Sequence, residues 1–108
     1  MTKLFVYGRL TMNSHYYQHY LQEQKFLGKG FIDGYKRYFL GGLHGIIAQN
    51  GGRVEGEVYE IDPPALARLD FLHNQGRVYT RTIVDVNLEN GETMTAETYL
   101  WNSGDLNI

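Results

Sequence analysis

The chain has 108 residues, a formal net charge of −2 and 43% hydrophobic residues, enough for one domain with a core that needs no covalent staples. It has no cysteine, which excludes a disulfide scaffold, a thiol nucleophile and a cysteine-based metal site, and which fits a reducing, cytoplasmic setting. Its ten Lys and Arg are scattered without a basic stripe, and no apolar run approaches the roughly 18 residues of a membrane span, so neither nucleic acid nor membrane is expected as a partner.

Lys3 to Val6 reads as a short buried strand, not a signal peptide, because it runs straight into Tyr7-Gly8 with no long apolar region. Asn13-Ser14 offers a helix cap, and Ser14 to Gln22 reads as a short helix with Tyr16, Tyr17, Tyr20 and Leu21 on its stripe. From Lys25 the pattern changes to strand-like fragments at Phe26-Leu27, Phe31-Ile32, Tyr38-Phe39-Leu40 and Ile46-Ile47. Gly28, Gly30, Gly34, Gly41, Gly42 and Gly45 punctuate them, which suggests bulges or close backbone approach in a small barrel.

Asn50-Gly51 is a hairpin signal and is expected to join a strand around Gly45–Gln49 to one around Arg53–Ile61. Asp62-Pro63-Pro64 then starts a helix, with Asp62 as cap and Leu66, Leu69 and Leu72 as apolar face. From Val78 to Leu88 the residues alternate, with Val84, Val86 and Leu88 on one face and Ile83, Asp85 and Asn87 on the other. Asn90-Gly91 is a second hairpin signal, Thr93 to Trp101 is the return strand, and the tail is short and polar. The expected class is α+β: one domain over 1–108, a small, mostly antiparallel curled sheet or barrel with two short flanking helices.

Stretches spread over nearly the whole chain carry a resemblance. They are Leu4-Phe5-Val6-Tyr7-Gly8-Arg9-Leu10, Asn13-Ser14-His15 leading to Phe26-Leu27-Gly28, Val54 to Asp62, and Leu69-Asp70 followed by Tyr79-Thr80-Arg81. In order and spacing they resemble the gamma-glutamyl cyclotransferase-like family, above all its short bacterial YtfP-type members. The resemblance implies a small barrel with flanking helices and a polar cavity. It implies an enzyme in which the free amine of a gamma-glutamyl compound attacks its own gamma-carbonyl, giving 5-oxoproline and a released amine. It implies no metal and no organic cofactor, with a small gamma-glutamyl or acidic molecule as ligand. The loop Tyr7, Gly8, Arg9, Leu10 would offer backbone N–H groups to that ligand, and glycine allows the close approach. An acid is implied three residues after Asp70, as the base that frees the amine of its proton.

At that place stands His73. It is i+4 from Leu69 and i+7 from Leu66, so it falls on the inward stripe of its helix. It reads as a replacement base, as a cavity-lining ligand contact, or as a helix-end histidine favoured by the helix dipole. Arg9 stands where the family has Ser or Thr; it either binds a carboxylate inside the cavity or points outward as a surface charge. His44, in Gly41-Gly42-Leu43-His44-Gly45, is a cavity residue or an exposed loop residue, and Tyr38 lines the cavity or packs the core. Glu55 and Glu57 share one strand face, and Glu57 is the lesser alternative as base. His15 and His19 have metal-ligand spacing but no third ligand nearby and read as a solvated face. A non-catalytic module holding a small acidic ligand in the same cavity is the rival reading, and the oligomeric state stays open.

Overall fold

A computed structural model of the chain describes residues 1–8, 19–40, 43–73 and 76–102. Five strands close into a barrel: β1 (Thr2–Val6), β2 (Lys25–Leu40), β3 (Leu43–Ile61), β4 (Tyr79–Leu88) and β5 (Thr93–Trp101), in the spatial order β1-β3-β2-β4-β5. Every pairing is antiparallel except β1 with β5, where Leu4 lies beside Glu97 in parallel. One helix, α1 (Pro63–Leu72), joins β3 to β4. The first expected helix lies largely outside the described residues; His19 and Tyr20, near its end, are helical. Two flanking helices are therefore not both seen. Among the described residues no helix is long and apolar enough to cross a membrane.

The glycine-punctuated fragments merge into two long strands of 16 and 19 residues. The bulges expected from the glycines are present. The β2–β3 register shifts between Phe26 and Gly28 and again between Asp33 and Tyr35, and Gly28 and Gly34 have φ of 152° and 88°. The Asn50-Gly51 hairpin is corrected. Asp33 pairs with Arg53 and Tyr35 with Ala48, so Gln49 to Gly52 bulge out opposite Gly34 within one continuous strand. Gly51 takes the positive φ of 82° that a turn would need, but the chain carries on in the same direction. Asn90-Gly91 does form its hairpin, pinned by Gly91 N–H to the Leu88 carbonyl at 3.0 Å.

Strand alternation builds two cores. Phe5, Tyr7, Ile32, Ile46, Val54, Val58, Val84, Val86, Leu88 and Ala96 come from all five strands and fill the barrel. Leu4, Val6, Tyr59, Ile61, Tyr79, Tyr99 and Trp101 point the other way and lie beneath Ala65 and Leu69 of the helix. Asp62 starts that helix as expected: its carboxylate accepts from Ala65 N–H at 2.8 Å, and that bond, with one from Gln24, holds its pKa low. The apolar face is shifted from the expected one. Ala65 and Leu69 are buried, Leu66 is only partly buried and Leu72 is exposed. The inward stripe therefore runs in i+4 steps from Ala65 through Leu69, and the next step is residue 73.

Candidate functional site

His73 ends the helix, with its backbone N–H and its ring Nδ1 both directed at the Leu69 carbonyl; the Nδ1 distance is 2.8 Å. A carbonyl only accepts, so Nδ1 carries the proton and Nε2 keeps its lone pair. Burial depresses the imidazole pKa below its usual value, against the upward pull of the Leu69 bond and the Asp70 charge. The ring is therefore neutral at pH 7. It stacks on Tyr99 with centroids 3.8 Å apart and planes 5° apart, and it meets the edge of Tyr79 at 5.1 Å.

Tyr79 carries the arrangement across to the central loop. Its hydroxyl donates to the His44 carbonyl at 2.5 Å. The His44 ring stands over Gly8, where a Cβ would come within 3.4 Å of it, and Gly8 has the left-handed φ of 62°. The neighbouring Tyr7 is buried, and its hydroxyl donates to the Tyr99 carbonyl at 2.6 Å. Burial and the nearby Tyr79 push the Tyr7 pKa far up, so the phenol stays protonated as a donor. Tyr7, Gly8, His44 and His73 are thus linked from three separate stretches of sequence, with Tyr79 and Tyr99 as connectors.

The other expected site residues lie as follows. Tyr38 sits opposite Gly45 in the β2–β3 register, packs against the core beneath the helix and donates to Gln49 Oε1 at 2.9 Å. Glu57 is buried opposite Val6 and Lys29 and accepts from Tyr59 at 3.0 Å, whereas Glu55 on the same strand face is exposed. Arg9, Leu10 and His15 lie outside the described residues.

Residues that the sequence alone left without a role fix the helix in place. Arg81 grips Asp70 with two bonds, Nε to Oδ1 at 2.8 Å and Nη2 to Oδ2 at 3.2 Å, and reaches Glu97 through Nη1 at 2.9 Å. Tyr99 donates to Asp70 Oδ1 at 2.6 Å while its ring carries His73. Burial first, and then the Asp70 carboxylate, push the Tyr99 pKa well up, so this phenol too stays protonated. The signal was present as strand alternation: Tyr79 and Arg81 share a face of β4, and Glu97, Tyr99 and Trp101 share a face of β5.

Gly45 has a steric reason. A Cβ there would overlap Cδ2 and Cε2 of the Trp101 ring, which occupies that space. Gly45→Ala is expected to cost about 2 kcal/mol by overpacking a rigid ring. Urea or thermal unfolding measures it, and a variant as stable as the parent would show that the indole moves aside freely.

Three comparisons bear on this geometry. A family model described as "Gamma-glutamyl cyclotransferase, AIG2-like" matches residues 4–107. The gamma-glutamylcyclotransferase family protein YtfP of Escherichia coli K12 is 39% identical over 82 residues, 76% of this chain and 71% of that protein. A putative gamma-glutamylcyclotransferase of Methanocaldococcus jannaschii is 31% identical over 102 residues, 94% of this chain and 85% of that one. Among solved structures, an AIG2-like protein of Mus musculus superposes with a TM-score of 0.83 at 25% identity, covering 93% of this chain and 76% of that one.

Proposed function

The chain belongs to the gamma-glutamyl cyclotransferase, AIG2-like family, and from that premise we propose that it cyclises a gamma-glutamyl amine or peptide to 5-oxoproline with His73 as base. The observation that supports this is the state of the imidazole. It is neutral, its Nδ1 proton is held by Leu69, and its ring packs on Tyr79 and Tyr99, whose hydroxyl and backbone carbonyl respectively bond the His44 and Tyr7 segments.

In the proposed reaction Nε2 takes a proton from the substrate's alpha-ammonium, because an ammonium has no lone pair with which to attack. The freed amine adds to the gamma-carbonyl carbon, forming the ring C–N bond and moving an electron pair onto the carbonyl oxygen. Backbone N–H groups of the loop from Tyr7 to Leu10 stabilise that oxyanion. The pair then returns, the bond to the leaving amine breaks, and the imidazolium gives its proton to the departing nitrogen. The ring nitrogen, which still holds two protons after the attack, gives one up through His73 to the released amine, so the products are 5-oxoproline and the amine as its ammonium ion, and His73 is neutral again. Ring closure is intramolecular, so holding the substrate in a folded pose supplies much of the acceleration. Neither metal nor organic cofactor enters the scheme.

Pure protein incubated with a panel of gamma-glutamyl amines and dipeptides, followed by assay for 5-oxoproline, tests the proposal. Turnover of at least one class is expected. Binding without turnover across the panel would overturn the enzyme reading and favour a module that holds the same ligands.

A further inference from the structure

Trp101 is 5% exposed, and its indole Nε1 has no hydrogen-bond partner among the described residues. A buried donor left unpaired costs about 1–3 kcal/mol, so native proteins keep few of them and each needs a reason. This one lies among the residues already described. The Trp101 ring fills the space left by Gly45, next to His44, and stands 6.4 Å from the Tyr79 ring.

The site's phenols cannot take over its task. Tyr7 donates to the Tyr99 carbonyl, Tyr79 to the His44 carbonyl and Tyr99 to Asp70. Each hydroxyl has one proton to give, so all three are committed to holding the site together. The indole N–H is a donor only and can be satisfied only by an acceptor. Gly45 is the steric companion of this arrangement: the chain keeps a residue without a side chain so that the indole can stand there.

We propose that Trp101 Nε1–H is a ligand-binding donor of this site and takes an acceptor oxygen of the gamma-glutamyl group, either its free carboxylate or the carbonyl that becomes the lactam. This rests on the cyclotransferase reading and adds to it a side-chain contact that selects for an oxygen. The unpaired donor in the free protein is then the counterpart of a bond made only with ligand, and it lowers stability until ligand arrives.

Trp101 is the chain's single tryptophan, so a ¹H–¹⁵N spectrum has one indole resonance to follow. The probes are 5-oxoproline and 2-pyrrolidinone, the same lactam without the carboxylate. A saturable downfield shift of the indole proton with 5-oxoproline is expected. A matching shift with 2-pyrrolidinone assigns the bond to the lactam oxygen, and a shift with 5-oxoproline alone assigns it to the carboxylate. Trp101→Phe keeps an aromatic ring but lacks the N–H; it should bind 5-oxoproline about tenfold more weakly and melt no lower than the parent.

If 5-oxoproline shifts backbone resonances of Tyr7 and Gly8 while the indole stays still, the Trp101 proposal is overturned and the cyclotransferase reading stands. Equal affinity in Trp101→Phe overturns it in the same way. Silence of the whole spectrum with both probes also overturns it, whatever the turnover assay gives, and a negative turnover assay alongside removes the cyclotransferase reading as well.

Discussion

Arg81→Ala is expected to lower the melting temperature by on the order of 10 °C, from a loss of about 3 kcal/mol. Arg81 and Asp70 are only 21% and 25% exposed, so their attraction is poorly screened by water. Removing the guanidinium leaves two carboxylates, Asp70 and Glu97, without their shared cation. Breaking a buried pair from one side costs more than the pair contributes, because the remaining charge stays desolvated. Partial exposure puts the figure at the lower end of that range. Arg81→Lys keeps the charge but not the planar fork, so it should recover only part of the loss.

The same substitution reaches the site. Asp70 lies one turn before His73 on α1, and Tyr99 binds Asp70 with its hydroxyl and His73 with its ring. Arg81→Ala should therefore depress turnover even at temperatures where the variant is fully folded. A melting temperature within about 2 °C of the parent would show that the clamp carries little load.

How much of this was readable beforehand depended on the range of each signal. The β4–β5 hairpin was legible because its evidence is local: alternation of Val84, Val86 and Leu88 with Ile83, Asp85 and Asn87, and a turn dipeptide at Asn90-Gly91. The start of α1 was legible because Asp62 and the two prolines have few other uses in sequence. Asn50-Gly51 misled because a hairpin turn and a bulge both call for a residue with positive φ. What separates them is the partner strand's register, and Gly34, which absorbs the bulge, lies far away in the chain.

The candidate site divides along the same line. The inward position of His73 follows from its spacing to Leu69. The Asp70–Arg81–Glu97 clamp was not readable, because it joins a helix to two strands and only the folded register makes those residues neighbours. The apolar face of α1 was misplaced for a related reason. The leucines suggested a stripe centred on Leu66, Leu69 and Leu72, whereas the barrel surface selects Ala65 and Leu69, because a small residue lets the helix come close.

His73→Ala should cut 5-oxoproline formation by about 10²- to 10⁴-fold, the usual contribution of a positioned general base. Its stability should fall by about 2–3 kcal/mol, the worth of two ring contacts and one hydrogen bond, so lost turnover in a variant shown to be folded reports chemistry. The pH profile gives an independent check. Burial holds the His73 pKa below its ordinary 6.5, so Nε2 stays unprotonated through neutral pH. The acid limb of kcat/KM should therefore fall below pH 6.5, and a limb above it would assign the titration to another group.

Stability obeys the same linkage. The unfolded chain takes up this proton at a higher pH than the folded one, so His73's contribution is complete above pH 6.5. It is lost as the pH falls from 6.5 towards the depressed folded value, and His73→Phe should lack that part of the pH dependence. The last comparison is His73→Glu. A carboxylate regains a negative charge for the substrate's ammonium but loses the Nδ1–H bond to Leu69 that orients the imidazole. If the parent chain turns over gamma-glutamyl compounds and His73→Glu does so no better, the imidazole is a working base in its own right. Turnover that appears only in His73→Glu would mean that this chain keeps the barrel and the binding loops without the chemistry.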